Sequence, residues 1–274
     1  MSWQAVARKD FEDAVRSRWV LGLSVLFVLL VAGAAYITRP AGGGTASSNA
    51  VLNSIVVRDA LVTTLVPLIA LVSAYGAVVG ERSSGSLKLL LALPHSRADV
   101  VFGKVIGRAG AIALPIAVGF LLPAVALVIA PGIQFEAAAY LGFTLLVALL
   151  GVVFVAIAVG FSAATASNRL AVAGAVGIYF LFVPLWGAVR FPIQLYFGLS
   201  GGPSWLPVSG QQFVQFLTLL NPTGSFKTVS GAFLSGTLFS GGEARVHVAA
   251  AMMLLAWLLV PPLLGLLRFE SQDL

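Results

Sequence analysis

Long apolar runs separated by short polar connections dominate the chain. Windows of about 20 apolar residues, the length a helix needs to cross a bilayer, occur six times, and none of the six contains Asp, Glu, Lys, Arg or His. This pattern predicts an all-α polytopic membrane protein with six transmembrane helices, folded as a single domain over residues 1–274. The predicted spans are 19–37, 60–79, 109–130, 137–165, 170–189 and 248–267.

A short amphipathic segment precedes the first span. Its apolar side chains recur at the spacing that gathers one face of a helix: Trp3, Ala7, Phe11, Ala14 and Val15. We predict a helix that lies in the headgroup layer and anchors the first span, with a polar face that is also available to a cytoplasmic partner. The expected interfacial anchor comprises Trp3, Phe11, Arg16 and Arg18.

The outer segment 190–247, between the fifth and sixth spans, is too long for a turn and too apolar for a disordered linker. It holds two apolar stretches, and neither reaches the roughly 17 residues of a spanning helix without glycine or polar breaks. We therefore predict re-entrant or interfacial helices that cap an outer mouth. The residues we assign to this mouth are Asn221, Pro222 and Phe226.

Composition and charge support the membrane prediction and orient the chain. Hydrophobic residues make up 59% of the sequence and charged residues only 9%, with a mean hydropathy of +1.01, which excludes a soluble globular domain. Eleven of the 16 basic residues fall on the side that holds both termini, and five fall on the other. The positive-inside rule therefore predicts cytoplasmic termini in a multi-pass plasma-membrane protein. Because the net charge of +6 is explained as an orientation signal, nucleic-acid binding loses its support.

The chemistry of known catalytic and energy-coupling sites is missing from the sequence. There is no cysteine, and Gly103-Lys104 is followed by Val105, so the phosphate-binding P-loop pattern fails. The patterns GxSxG and HExxH are also absent. His247 does not make a convincing copper site, since no methionine lies four residues from it on the same helical face. We expect no metal, no cofactor and no catalytic residue.

The inner segment 80–108 concentrates charge and exposed leucines. It begins at Glu81-Arg82, continues through a leucine-rich helix that Pro94 stops, and then reopens at Ser96. Ser96 and Asp99 have the spacing of a capping box, which predicts the start of a helix that runs into the third span. The result is a helix-turn-helix elbow on the inner face, and exposed leucines at such a place favour a protein partner.

At these residues the sequence resembles the ABC-2 type permeases, and it is most similar to the six-span permeases of nitrous oxide reductase maturation operons. The resemblance implies a membrane subunit that lacks its own ATPase, with two permeases, expected to be identical, assembled on two P-loop ATP-binding subunits. The pattern that carries it is Glu81-Arg82, Gly85-Ser86-Leu87, Leu90-Leu91, Leu93-Pro94, Ser96-Arg97, Asp99-Val100-Val101 and Gly103-Lys104, with Asn221-Pro222 and Phe226 in the outer segment.

In that family the elbow holds the coupling helix, which docks into a groove of the ATPase. Carried onto this chain, the resemblance implies an ATPase-coupling set of Glu81, Arg82, Leu87, Leu90, Leu91, Leu93, Pro94, Ser96, Arg97, Asp99 and Lys104. The alternative is that Glu81 and Arg82 pair with each other while the leucines pack on the protein's own inner surface.

Three functions follow from these observations. The first is export of a substrate, driven by the separate ATPase. The second is mechanotransmission or assembly, in which the same motion acts on an extracytoplasmic partner and nothing crosses the membrane. Few polar residues occur in the third, fifth and sixth spans, which favours an apolar or amphipathic substrate, or no conduit. The third function is that of an intramembrane enzyme, which would need ionisable residues that the spans do not contain. A link to copper would need metal ligands that the sequence does not offer.

Overall fold

A computed structural model describes residues 2–16, 18–38, 45–54, 61–92, 96–129, 132–200 and 208–272. Nearly all of these residues are helical, as the apolar pattern predicts. The helices in chain order are α1 (Ser2–Val15), α2 (Arg18–Ile37), α3 (Ser48–Asn53), α4 (Leu61–Ala74), α5 (Val79–Ser83), α6 (Ser86–Ala92), α7 (Arg97–Ile129), α8 (Ala137–Ala164), α9 (Asn168–Phe182), α10 (Trp186–Ser200), α11 (Gly210–Leu220), α12 (Pro222–Leu234) and α13 (Ala244–Glu270).

Among the described residues, five helical segments are long and apolar enough to cross a membrane, and the number is six when one bent helix pair is counted as a single span. The pair is α9 and α10, which meet at an angle of 43° around Pro184, where the predicted fifth span was expected to be continuous. Proline elsewhere does not interrupt the helices, since α7 continues through Pro115 and Pro123. The all-α polytopic fold is therefore confirmed, and the fifth span differs from the prediction in being broken.

The bundle has two distinct ends. The end that we name the terminal end holds α1, α5, α6, the turn between α8 and α9, and residues 271–272. The opposite end, the loop end, holds α3 and two short strands, β1 (Ala46–Ser47) and β2 (Ile133–Gln134), which pair in parallel. This pairing joins the first and third connections between spans, as an alternating path through the membrane requires.

The helix α8 lies at the centre of the bundle and packs against α4, α7, α12 and α13. With 33 residues, α7 is about 50 Å long, so it extends beyond a bilayer core of about 30 Å. Glycine lets α8 and α13 approach closely, because a Cβ on Gly160 or Gly265 would overlap the backbone of the other helix. The small residues of α8 thus serve packing within the subunit, whereas α9 leaves Ala173 and Gly177 exposed.

Candidate functional site

The elbow between α4 and α7 begins with a turn that α8 holds in place. The hydroxyl oxygen of Ser162 accepts the backbone N–H groups of Val78 and Val79, each at 3.1 Å. Ser162 is fully buried, so this side chain satisfies the first free donors of α5 where water has no access. The direction in which the elbow leaves the membrane domain is therefore set by α8.

The short helix α5 contacts three other parts of the terminal end. The Glu81 carboxylate lies 2.8 Å from Lys104 Nζ on α7. The guanidinium of Arg82 donates to the Gln272 side chain beyond α13, and the Ser83 hydroxyl accepts a hydrogen bond of 2.8 Å from Asn168 at the start of α9. A displacement of α5 would therefore change its contacts with α7, with α9 and with the residues that follow α13.

The capping box at the start of α7 is confirmed. The Asp99 backbone N–H donates to Ser96 Oγ at 3.0 Å, and the Asp99 carboxylate accepts the Ser96 N–H at 2.9 Å. One residue further on, the Arg97 guanidinium lies 5.0 Å from the centre of the Phe269 ring and donates to the backbone carbonyl groups of Phe269, Glu270 and Gln272. Arg97 thus ties the far end of the elbow to the last turn of α13.

The leucines of α6 do not all face the same way. Leu87 is fully buried, so its side chain supports α6 from within and is not available to a docked partner, which corrects its predicted place on the surface. Leu90 and Leu91 are half-buried against the core, whereas Leu89 is 74% exposed. The predicted residues Leu93 and Pro94 lie outside the described residues.

A cluster of four charged side chains lies directly behind the elbow. Lys104 is only 2% exposed and lies between two carboxylates, 2.8 Å from Glu81 and 3.5 Å from Asp10. The second cation, Arg108, has its Nε 2.7 Å from the other oxygen of Asp10. Two acids and two bases give the cluster no net charge, and such pairing is what allows charged groups to be buried. It joins α1, α5 and α7.

The helix α1 occupies a groove made by glycines on α7. A Cβ on Gly103 would lie 2.8 Å from Val6, and one on Gly107 would lie 2.7 Å from the Ala7 carbonyl oxygen. These close approaches bury the Val6, Ala7 and Asp10 side of α1. The predicted helix is confirmed. The side that packs on the protein includes the charged residue Asp10, which does not belong to the predicted apolar face.

The predicted anchor residues occupy the edges of this contact. The Phe11 ring lies against Gly110 of α7, whereas Trp3 is 41% exposed and Arg16 and Arg18 are exposed. On the outward face of α1, Arg8 forms a hydrogen bond of 2.7 Å with Glu12. That bond lowers the pKa of the Glu12 carboxyl group.

Sequence reasoning missed two members of the charge cluster, Asp10 and Arg108. One available signal was the row of glycines on α7, Gly103, Gly107 and Gly110, whose spacing places them on one helical face. Another was that Asp10 lies three residues after Ala7 and so shares a face with an apolar residue. Together these patterns indicate a helix packed closely on the start of α7.

The predicted outer-mouth residues form a buried hydrogen-bonded junction. Asn221, which is 2% exposed, accepts the Thr223 N–H at 2.8 Å and caps α12. Its amide group donates to the Phe182 carbonyl oxygen at 2.7 Å, at the last residue of α9. Pro222 is the first residue of α12, and the buried Phe226 contacts the Phe143 ring of α8. The junction thus stabilises the break between α9 and α10.

The tip of the hairpin formed by α11 and α12 contacts α13. The Trp257 indole donates to the Leu220 carbonyl oxygen at 2.9 Å, beside the hairpin tip. Trp257 lies midway along the 27 residues of α13, about 20 Å from either end. The tip of the hairpin is therefore in contact with the middle of α13 rather than with its end.

The part of the chain that the structure describes offers little to a metal ion. It contains no group of three or more His, Asp and Glu side chains that could act as ligands. The buried His247 has its Nε2 3.9 Å from the exposed carboxylate of Glu243. Met252 is 61% exposed, as expected for a side chain that packs against lipid.

Comparison with known proteins agrees with this architecture and with the resemblance seen in the elbow. The family model described as "ABC-2 family transporter protein" matches residues 4–274. The protein named "Probable ABC transporter permease protein NosY" from Stutzerimonas stutzeri is 34% identical, with 97% of each chain covered. Its namesake from Pseudomonas aeruginosa is 36% identical over 92% of this chain and 91% of the relative. The chain therefore belongs to the ABC-2 transporter family and is the permease subunit of an ABC transporter.

Proposed function

We propose that this permease is an exporter subunit driven by a separate P-loop ATPase that docks on the elbow 80–108. The terminal end then faces the cytoplasm of a cell whose plasma membrane the bundle crosses, in line with the excess of basic residues on that side. Hydrolysis of ATP takes place in the partner, since this chain contains no P-loop pattern. Two permeases and two ATPases make up the working unit.

The observation that supports this proposal best is an exposed leucine, Leu89, on the short helix α6, which is itself packed against the core. Leu89 projects from α6 with 74% of its surface exposed, next to Lys88, which is also exposed. An apolar side chain presented in this way fits a groove on a protein partner. The helix beneath it is held by Leu87 in the core, so force on α6 passes into the bundle rather than bending a loose loop.

The contacts of α5 supply the path by which docking would move the spans. Glu81 pairs with Lys104 on α7, and Ser83 pairs with Asn168 on α9. The helix α9 ends at the break before α10, where Asn221 from the hairpin donates to the carbonyl group of its last residue, Phe182. A movement of the elbow therefore has a continuous set of packed and hydrogen-bonded elements between the ATPase and the loop end.

A second permease copy is proposed to pack on α9. This helix exposes Ala173 and Gly177 between large apolar side chains such as Leu170 and Phe180, which are 59% and 50% exposed. Small residues on an apolar helix face let two helices approach closely in lipid. The homodimer would place the broken spans of both copies side by side.

Mechanotransmission to an extracytoplasmic partner is the second candidate. It is favoured by the hairpin, which contacts α9 through Asn221 and α13 through Trp257 and so converts a shift of either helix into a displacement at the loop end. The few polar residues in the third, fifth and sixth spans also fit a machine without a conduit.

Purification of the chain from its native membranes tests the docking proposal. A P-loop ATPase identified by mass spectrometry is expected with the native chain and with Lys88→Gln. It is expected to be lost from Leu89→Asp, because a carboxylate cannot enter an apolar groove without losing its hydration. Loss of the ATPase with normal folding of the variant supports docking on α6. Retention of the ATPase by Leu89→Asp, or no ATPase with the native chain, would contradict it.

Export and mechanotransmission separate in proteoliposomes that contain the purified complex. ATP-dependent accumulation of an amphipathic fluorescent lipid inside inverted vesicles supports export. Absence of accumulation, together with an extracytoplasmic protein that cross-links to the hairpin 210–234 in cells, supports mechanotransmission.

A further inference from the structure

Two basic side chains, Arg190 and Lys227, line one polar cavity near the loop end. The cavity has a volume of about 440 Å³ and lies between the break in α9–α10 and the α11–α12 hairpin. Arg190 comes from α10 and Lys227 from α12, so the sequence keeps them apart and the fold brings them together. Trp186 and Phe182 form the apolar part of the wall.

No acidic side chain lines this cavity. The sequence explains why, since no Asp or Glu occurs anywhere between Glu136 and Glu243. Neither Arg190 nor Lys227 forms an ion pair with any residue that the structure describes. Basic side chains at membrane depth mark a water-filled cavity or a binding site, because an uncompensated charge is costly in an apolar surrounding.

The hydrogen-bond donors that remain in the cavity belong to these two cations. One guanidinium nitrogen of Arg190 donates to Thr218 Oγ1 at 3.0 Å, which orients the planar group and leaves its other N–H groups free of partners within the described chain. The hydroxyl groups of Thr218 and Thr228 already donate to backbone carbonyl groups of Val214 and Gly224. These threonine hydroxyl groups therefore have no hydrogen left for a ligand, and the free side-chain donors of the cavity are those of Arg190 and Lys227.

The first turn of α12 adds to the positive potential. Thr223 and Gly224, the second and third residues of this 13-residue helix, line the cavity, and the helix dipole places partial positive charge there. Gly224 is required at this point, because a Cβ would overlap the Thr218 carbonyl group. Because Asn221 already accepts the Thr223 N–H, the helix contributes its dipole, while the guanidinium group of Arg190 and the ammonium group of Lys227 supply donors of the kind that bind phosphate in proteins.

We infer that this cavity binds a phosphate group, either free or on the head group of an anionic phospholipid. The phospholipid would enter beside α10, whose Phe191 and Leu195 are 65% and 50% exposed, with its acyl chains against this surface and its phosphate between Arg190 and Lys227. The inference goes beyond the proposed function, since it depends on the loop end alone and needs no ATPase.

Native mass spectrometry of the purified chain in detergent tests the inference. The chain is titrated with short-chain phosphatidylglycerol, with zwitterionic phosphatidylcholine, and with inorganic phosphate. The test variants are Arg190→Gln, Lys227→Gln and their combination, and Arg190→Lys keeps the charge but removes the planar fork. Arg245→Gln is the matched control, because Arg245 is another exposed basic residue near the loop end that does not line the cavity.

The native chain and Arg245→Gln are expected to bind phosphatidylglycerol at least tenfold more tightly than phosphatidylcholine. The double variant is expected to lose this preference, with Arg190→Lys between the two. Competition by inorganic phosphate identifies a free anion as a ligand, and no competition identifies the lipid head group. Equal binding of both lipids by the native chain and no binding of phosphate, or equal losses in Arg245→Gln and the double variant, would overturn the inference.

Discussion

The two ends of the molecule treat charge in opposite ways. At the terminal end, Asp10, Glu81, Lys104 and Arg108 form a neutral cluster whose central lysine is 2% exposed. At the loop end, the cavity holds two bases and no acid. In the first arrangement every charge lies within 4 Å of an opposite charge, whereas the charges of the second have no ion-pair partner among the described residues and require water or a ligand.

This difference indicates different roles for charge in one membrane protein. The terminal-end cluster joins α1, α5 and α7, so its ion pairs hold α1 and the elbow against the bundle. We call this contact the latch. Of the loop-end cations, Arg190 makes one hydrogen bond to Thr218, and removing either cation costs the fold no ion pair among the described residues. Variants at the two ends should therefore separate into those that lower the free energy of unfolding and those that alter ligand binding.

The largest effect is expected for Lys104→Met. This change removes the cation that Glu81 and the buried Asp10 share, and leaves Asp10 with Arg108 alone; breaking a buried ion pair from one side costs up to about 3–5 kcal/mol of unfolding free energy. Unfolding by SDS in mixed micelles measures the loss. Release of α1 should also make the segment around residues 16–18 more sensitive to limited proteolysis.

Lys88→Met is the control for that prediction. Lys88 is an exposed lysine on α6, so its replacement should leave the unfolding curve and the proteolysis pattern unchanged. If Lys104→Met and Lys88→Met behave alike, the cluster is not a latch, and the contrast between the two ends is wrong.

A smaller effect is expected for Gly107→Ala, which acts on the latch through packing alone. The added Cβ would lie 2.7 Å from the Ala7 carbonyl oxygen, so α1 must shift away from α7 at a cost of about 1–3 kcal/mol. The same SDS titration measures it. Gly22→Ala, where a Cβ would meet nothing within 4 Å, should not destabilise the protein, and equal effects of the two changes would contradict the groove.

Local patterns made much of this fold predictable. The Ser96–Asp99 capping box depends on residues three apart, and the spans depend on continuous apolar windows. Both can therefore be predicted from local sequence alone. Pro184 indicates that the fifth span can bend, but the sequence does not distinguish a break from a kink, because the residues on both sides are apolar and α7 continues through Pro115.

Contacts between distant segments could not be predicted in the same way. Asp10 and Lys104 are brought together only when α1 enters its groove on α7, and Arg190 and Lys227 only when the hairpin folds back on α10. In the seven residues of α6, leucine occupies so many positions that periodicity does not tell the buried Leu87 from the exposed Leu89. Which leucine is on the surface depends on the tertiary packing.

Asn221→Ala tests the junction at the loop end that does not depend on charge. The change removes the cap of α12 and the donor to the Phe182 carbonyl group, and losing a helix cap costs about 0.5–2 kcal/mol. Thermal unfolding in detergent should show the decrease. Ser240→Ala, at an exposed hydroxyl between α12 and α13, should not, and an unchanged melting temperature for Asn221→Ala would mean that the break in α9 is held by other contacts.

The smallest effect on stability is expected for Lys227→Gln, and it is the sharpest test of the comparison. Lys104→Gln and Lys227→Gln remove the same charge from the two ends of one bundle. Because Lys227 is exposed and has no ion pair among the described residues, its loss should change the unfolding free energy by less than about 0.5 kcal/mol. Lys104→Gln should lower the unfolding free energy severalfold more, since Glu81 loses a partner at 2.8 Å.

Both variants are measured side by side in phosphate-free buffer. Similar losses of unfolding free energy would show that Lys227 is held by the fold. A stabilising effect of added phosphatidylglycerol on the native chain that disappears in Lys227→Gln would instead show that the cation contributes through its ligand, since binding to the folded state alone raises stability by mass action.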